Sequence, residues 1–310
     1  MVSNKAKTVC LAGALALAAS AALASPMKFA GHYYGQINLP FKESAGDAAN
    51  YIEQNKGAFE PIYELGKTDP LRKLSRPIGR IDIKFKMADG SYGMSSCTGA
   101  LLAGNYVLTN HHCIPVKSRD KPVKASILMN YLTMDGKGAE RFELSVKPTE
   151  WSQNLDYVVV KVQGDPVSKY GHVNLSLKPA DPNDRLVLIH HPLGMPKVMT
   201  RFRCFAFKTQ NAEGYLRHRC DSQPGSSGSL LFNISANAVG LHHTGGLNKT
   251  NQESFNNSTQ IATIIGKSIL VRKAAEANVK VAAPVKVTKE GDKTVSSPES
   301  VKGVNDLLTK

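Results

Sequence analysis

The sequence predicts an all-β chain folded as two antiparallel barrels, with a helix closing the second. Three observations carry that expectation. From about residue 76 onward, short apolar and β-branched runs recur between glycine, proline and asparagine, the punctuation of a chain that repeatedly turns back on itself. After Asn257 the apolar positions Ile261, Ile264, Ile265 and Ile269 change to helical spacing. The 310 residues, 42% of them hydrophobic, suffice for a substantial core, and no internal repeat suggests a solenoid or propeller instead.

Taken from the N-terminus, the first element is an export leader. Lys5 and Lys7 precede an alanine-rich apolar run from Val9 to Leu23, and Ala22-Leu23-Ala24 supplies the small-x-small pattern cleaved before Ser25. Residues 1–24 therefore read as a signal peptide, and the chain is expected to be secreted or periplasmic. The run is short for a transmembrane anchor, and no later segment reaches spanning length. Residues 25–75, polar and aromatic with little strand alternation, read as a propeptide or N-terminal extension. Ile78-Gly79-Arg80-Ile81-Asp82-Ile83 admits two readings, an intact first strand or a processing site that frees Ile81.

Residues 98–113 read as two short strands around Gly104-Asn105, ending in His111-His112-Cys113. Leu155 to Val162 sets Asp156 ahead of an apolar β run, and Leu186 to Ile189 begins another. Beyond Arg272 the composition turns to Lys, Ala, Val, Pro and Ser without an aromatic, so residues 272–310 read as a basic flexible tail. The formal net charge is +14, of which the leader carries two. Such a surface suits anionic surroundings or simple solubility, and no specific nucleic-acid partner is implied.

The chemistry concentrates in Cys220-Asp221-Ser222-Gln223-Pro224-Gly225-Ser226-Ser227-Gly228-Ser229. A serine hydroxyl is a poor nucleophile at neutral pH. Its turn must present it to a base and aim N–H groups at the oxyanion its attack creates. Gly225 and Gly228 permit the backbone such a turn requires, and the N–H groups of Gly225 and Ser227 are the natural oxyanion donors. The base must come from elsewhere. His111 and His112 cannot both serve, because neighbours on an extended segment point to opposite sides. The same divergence, and the lack of a His-Glu-x-x-His helix, argue against metal binding by the three His-His pairs. A tetrathiolate zinc site would need the Cys-x-x-Cys spacing that is missing. No cofactor is expected.

Set in order, these segments resemble the chymotrypsin-like serine peptidases. Thr109-Asn110-His111-His112-Cys113 is similar to the Thr-Ala-Ala-His-Cys that carries the family's base, which implies His112. Asp156 before its β run resembles the family's orienting carboxylate, and Ser227 its nucleophile. The order His112, Asp156, Ser227 is that of this clan and differs from those of subtilisins and α/β-hydrolases. Leu186 to Lys197 looks like the opening of the second barrel in bacterial members. Val239-Gly240-Leu241-His242-His243-Thr244-Gly245-Gly246 resembles the pocket strand of glutamyl endopeptidases similar to the staphylococcal V8 enzyme. The likeness covers residues 76–271, making this the peptidase domain, and implies convergence of the triad at a water-accessible groove. Cys97, Cys113, Cys204 and Cys220 allow three pairings; Cys97–Cys113 resembles the family's bridge beside the base, and it is favoured together with Cys204–Cys220, which would tie the strand pair leading into the nucleophile turn. Each would close a loop of about 15 residues, worth roughly 3 kcal/mol on the chain-entropy model.

Where chymotrypsin and trypsin have an aspartate before the nucleophile, which pairs with a newly freed N-terminus, this chain has Ser226. That activation salt bridge is unavailable. At the primary specificity (S1) pocket two signals conflict. Asp221 matches the position that attracts Lys or Arg, whereas Ser222 and His242 match residues that hold a glutamate carboxylate, so the preference for the residue before the cut (P1) is open between basic and acidic. The expectation is a monomeric endopeptidase acting on polypeptides. The other function class is a peptidase-like binding protein with an idle triad.

Overall fold

The computed structural model describes residues 26–40, 54–55, 57–210 and 214–282, so the signal-peptide expectation at 1–24 lies outside it. The strands are β1 (Met27–Ala30), β2 (Glu60–Pro61), β3 (Ile78–Lys86), β4 (Tyr92–Leu102), β5 (Tyr106–Thr109), β6 (Lys121–Met129), β7 (Glu140–Leu144), β8 (Glu150–Ser152), β9 (Tyr157–Lys161), β10 (Leu186–His190), β11 (Val198–Thr200), β12 (Tyr215–His218), β13 (Leu230–Asn233), β14 (Ala238–Thr244) and β15 (Asn256–Gln260). They form two antiparallel sheets. The first runs β7-β6-β3-β4-β5-β9-β8 with β1 added beside β4, and the second runs β12-β15-β14-β13-β10-β11-β2.

Each sheet closes on itself. In the first, Leu144 at the end of β7 bridges to Val162 just after β9. In the second, the segment around Cys204 to Phe207 joins the start of β10 to β12, through bridges Arg185–Phe205 and Ala206–His218. The period-2 alternation of the strands explains how the three larger cores coexist, beside a smaller one of Ala58, Phe59, Leu193, Met195 and Val198. On β3 and β4, Ile81, Ile83 and Leu101 fill the first barrel. On β10, Leu186 and Leu188 fill the second. The opposite faces of these strands, with Ile78, Ala100, Leu102, Val187 and Ile189, pack barrel against barrel. This explains why so many of the strands read as nearly continuous apolar runs: both of their faces are buried.

The helical spacing after Asn257 folds as two helices, Ile261–Lys267 and Ile269–Ala282, broken at Ser268. Ser268 Oγ accepts the N–H of Val271 and hydrogen-bonds the Glu150 carboxylate, starting the second helix afresh. The break takes Ile269 out of the apolar stripe, and it is 59% exposed. The second helix also crosses the expected tail boundary at 272, burying Val271, Ala274 and Ala275 in the inter-barrel core. The rest of the expected tail, from 283 to 310, lies outside the described residues.

The N-terminal extension is built into both sheets. β1 pairs with β4 from Met27–Ser96 to Ala30–Gly93, and β2 pairs with β11 through Pro61–Val198 and Glu60–Met199. Arg80 resolves its two readings as a strand residue: it sits within β3, fully buried, and grips the Asp82 carboxylate at 2.9 and 2.8 Å. Its remaining N–H groups donate to the carbonyls of Ile37, Gln36 and Gly194 at 2.6, 2.8 and 2.9 Å. The bond to Ile81 lies buried within the same strand.

Lys197 is buried with no salt-bridge partner among the described residues, its ammonium donating to Ser75 O at 2.8 Å. Burial lowers its pKa from 10.5 to about 7. Between those values the unfolded chain binds more protons than the native one, so this residue's contribution to stability rises with pH across the window and is lost as pH falls to 7. Lys197→Met should therefore stabilise the protein at pH 6 by on the order of 2 kcal/mol, after allowing for the undonated Ser75 carbonyl. The gain should shrink towards pH 10. Chemical denaturation across that range checks it, and a pH-independent difference would contradict the assignment.

Candidate active site

β5 ends at Thr109, and the chain then turns through Asn110 to Cys113, whose disulfide to Cys97 on β4 fixes the loop. The second bridge, Cys204–Cys220, is present as well. Within the loop, His112 uses both oxygens of Asp156: its N–H donates to Oδ1 at 2.9 Å and its Nδ1 lies 2.6 Å from Oδ2. Asn110 Nδ2 holds the Asp156 carbonyl at 2.8 Å. Asp156 itself adopts φ +46°, in the left-handed region that aspartate tolerates better than most residues. A carboxylate only accepts, so the imidazole carries its proton on Nδ1 and presents an unprotonated Nε2. That atom is buried and has no hydrogen-bond partner among the described residues. His111 points away, stacked on Trp151 at 5.1 Å.

The Gly225–Gly228 turn belongs to the second barrel but is fastened to the first. Thr98 N–H donates to Ser227 O at 2.8 Å, Thr98 Oγ1 to Gly225 O at 2.9 Å, and Thr109 Oγ1 to Thr98 O at 2.7 Å. Gly228, at φ +83°, packs so closely that a Cβ there would stand 2.1 Å from Thr109 Oγ1 and 2.2 Å from Thr98 O. The turn thus abuts the strand end that leads, three residues on, to His112. Ser227 has no exposed surface, whereas the His112 side chain is 26% exposed. The exposed part of the His112 ring is not Nε2, so both that nitrogen and Ser227 are covered. The His112–Ser227 hydrogen bond is not made, a contact that commonly tightens only with substrate bound.

Residues 97–241 match the family of the trypsin-like peptidase domain. This segment is a trypsin-like peptidase domain. The secreted RxLR effector protein 73 of Plasmopara viticola is 28% identical over 191 residues, covering 56% of this chain and 47% of that protein. The uncharacterized protein y4fB of Sinorhizobium fredii is 29% identical over 191 residues, covering 55% and 28%. The chain thus spans less than half the length of these curated relatives. Among solved structures, the HtrA-type protease AlgW with decapeptide is similar at TM-score 0.50 and 13% identity, over 68% of this chain and 69% of that one. The serine endoprotease from Yersinia pestis is similar at TM-score 0.49 and 14% identity, over 69% and 68%.

In the trypsin-like domain the expected pocket residues part company. Asp221, its side chain only 20% exposed, sets its carboxylate 3.3 Å from Lys249 Nζ and lines a cavity of about 650 Å³ that none of His112, Asp156 and Ser227 lines. His242 is fully buried, and its tautomer follows from its neighbours. Cys220 N–H donates to His218 Nδ1 at 3.3 Å, so His218 is protonated on Nε2 and donates to His242 Nδ1 at 3.1 Å. His242 must then bear its proton on Nε2, and that donor is buried without a partner among the described residues. Burial first, then the neighbouring imidazoles, hold both rings neutral by pushing their pKa values down, for His218 to about 3.

Asn256 is a residue that motif reading missed. Its amide donates to Cys220 O at 2.8 Å and Ser222 Oγ at 3.2 Å, and accepts from the N–H groups of Gly246 and Leu247 at 2.8 and 2.9 Å. It joins the segment leading into the Gly225–Gly228 turn to the loop that follows β14, and a lone asparagine in a polar run gives no local sign of this. Cys97, His112 and Cys113 cluster as potential metal ligands, but both sulfurs are joined in the disulfide and offer no thiolate.

Gly228→Ala should destabilise the protein by about 2 kcal/mol or more, because both the positive φ and a backbone carbonyl oppose a Cβ. Gly66→Ala, where a Cβ meets nothing within 4 Å, serves as the control. Urea denaturation of the two variants checks this, and equal midpoints would show that the turn is not so docked.

Proposed function

We propose that the chain is an exported serine endopeptidase that hydrolyses peptide bonds through an acyl-enzyme on Ser227. The observation that carries the reading is the His112–Asp156 pair, which locks the imidazole in the one tautomer able to accept a proton at Nε2, next to the strand end on which the Ser227 turn is docked. In the reaction Ser227 Oγ attacks the scissile carbonyl carbon while His112 Nε2 takes its proton. Asp156 stabilises the imidazolium that forms. The N–H groups of Gly225 and Ser227 receive the oxyanion. Collapse breaks the C–N bond as His112 returns the proton to the amine, and water, activated by the same imidazole, releases the acid. Among the described residues no hydrogen bond engages the Gly225 N–H, which suits this role. Two disulfides and the leader sequence support an oxidising compartment.

An acidic P1 residue suits the pocket better than a basic one. Asp221 is already engaged by Lys249, whereas His242 Nε2–H is a buried donor in want of an acceptor, which a substrate carboxylate would supply. The buried Ser227 and the open His112–Ser227 contact favour the rival reading, a binding protein with an idle triad.

A fluorophosphonate probe separates the two: the processed native protein should be labelled and Ser227→Ala should not. A folded native protein that takes no label would rule out the peptidase. For specificity, His242→Ala should lower kcat/KM on glutamyl substrates about ten- to hundredfold, the worth of a hydrogen bond to a charged group, with little effect on alanyl ones. Cleavage after Lys or Arg would show the pocket assignment to be wrong.

A further inference from the structure

Ser226 lies where the activation aspartate of chymotrypsin and trypsin would stand, so the nucleophile turn must be held by other means. The structure supplies a continuous buried relay. Gln223 N–H donates to Ser226 Oγ at 3.1 Å, and that oxygen lies 2.7 Å from His190 Nδ1. His190 Nε2 lies 3.2 Å from Thr200 Oγ1, and the Thr200 hydroxyl donates to Ala58 O at 2.8 Å, its contact to Asp221 O being longer at 3.2 Å. Ser226, His190 and Thr200 are all fully buried.

The protons of this relay have a single arrangement. Thr200 has one hydrogen, spent on the carbonyl, so it accepts from His190 Nε2–H. His190 Nδ1 is then unprotonated and accepts from Ser226, whose oxygen is free to accept from Gln223. Burial keeps the imidazole neutral, as the relay requires. The far end of the relay is not in the peptidase core. Ala58 belongs to the N-terminal extension, just ahead of β2, which pairs with β11, the strand that ends in Thr200. Phe59 packs edge-on against the His190 ring at 5.6 Å, and Glu60 grips Arg201 at 2.8 Å.

We infer that His190 and Thr200 are positioning residues that couple the N-terminal extension to the turn bearing Ser227, so that an attached extension, and not its removal, sets the turn for reaction. The inference rests on reading Ser227 as the nucleophile. It reverses the logic of a propeptide: cutting residues 58–61 away from the barrel silences the site.

The full-length processed protein tests it. Thr200→Val nearly keeps the shape of the side chain but has no proton to donate. Fluorophosphonate labelling and kcat should fall about tenfold or more, with KM within about twofold of the native value. Amide exchange in residues 221–229 should rise while that of β3 and β4 stays unchanged, and Thr200→Ser should restore both. Arg201→Gln loosens β2 at a partly exposed ion pair without touching the relay, and should shift labelling and exchange in the same direction to a smaller extent. A folded Thr200→Val protein with native labelling and native exchange in 221–229 overturns the coupling. Should that variant not fold, native behaviour of Arg201→Gln overturns it. If the native protein takes no label, exchange alone decides: a loosened turn sustains the coupling while the peptidase reading falls, and an unchanged turn sinks the coupling too.

Discussion

The site depends on the docking of one barrel's turn onto the other barrel's strands. Thr98 is the hinge of that contact, giving its N–H to Ser227 and its hydroxyl to Gly225 while its carbonyl takes the hydroxyl of Thr109. All these groups are buried, and a buried polar group left unpaired costs about 1–3 kcal/mol, so the set holds together or fails together. The absence of a Cβ at Gly228 is what lets the two backbones meet. Asp156 and His112 come from the first barrel and Ser227 from the second, so neither barrel brings the three together without this seam.

The histidines show how a single residue type serves different ends when position decides its tautomer. Each of the three His-His pairs splits. His111 stacks on Trp151 while His112 engages Asp156. His190 joins Ser226 to Thr200 while His191 bonds Met195 O. His242 receives from His218 while His243 bonds Thr244 Oγ1. For His242 and His243, both within β14, successive side chains face opposite ways; His111 and His112 sit in a turn and His191 just past β10, and there the separate partners keep the rings apart. A metal site needs the reverse, several ring nitrogens converging on one point. Burial adds a second constraint, since a neutral ring has one donor and one acceptor and its first partner fixes the role left for the second. By that rule His112 is left with an acceptor and His242 with a donor.

The features legible in the sequence are the local ones. Turn glycines, the histidine beside a cysteine and the aspartate ahead of an apolar run each mark their own backbone, and two barrels follow from many short strands with glycine between them. The illegible features are those created by contact across the fold. Asp221 has two chemically sensible directions, and its partner Lys249 arrives from a distant loop that no local pattern announces. Ile269 fits a helical stripe in every respect visible along the chain, yet Glu150 from the first barrel meets Ser268 and restarts the helix there. Residues 25–75 look dispensable because their strands are too short to alternate. β1 and β2 have four and two residues, and their order comes from the sheets they join.

The same extension explains a charge that would otherwise be hard to accommodate. A guanidinium as deeply buried as Arg80 needs every donor satisfied, and Asp82 alone cannot do this. Three backbone carbonyls complete the set, two from Gln36 and Ile37 in the extension and one from Gly194. Arg141 reinforces the arrangement, donating to Asp82 at 2.8 Å and to the Gln36 carbonyl at 3.1 Å. Gly194 closes the tight turn from His191, and that turn backs Gly225, whose preceding residue Pro224 accepts the Leu193 N–H at 2.6 Å. The buried arginine therefore holds together the extension, the first barrel and the turn that backs Gly225. Removing residues 36 and 37 would strand part of its hydrogen-bonding capacity in the interior, a penalty of several kcal/mol by the measure of broken buried ion pairs. The extension belongs to the fold on electrostatic grounds, independently of the relay that joins it to Ser226.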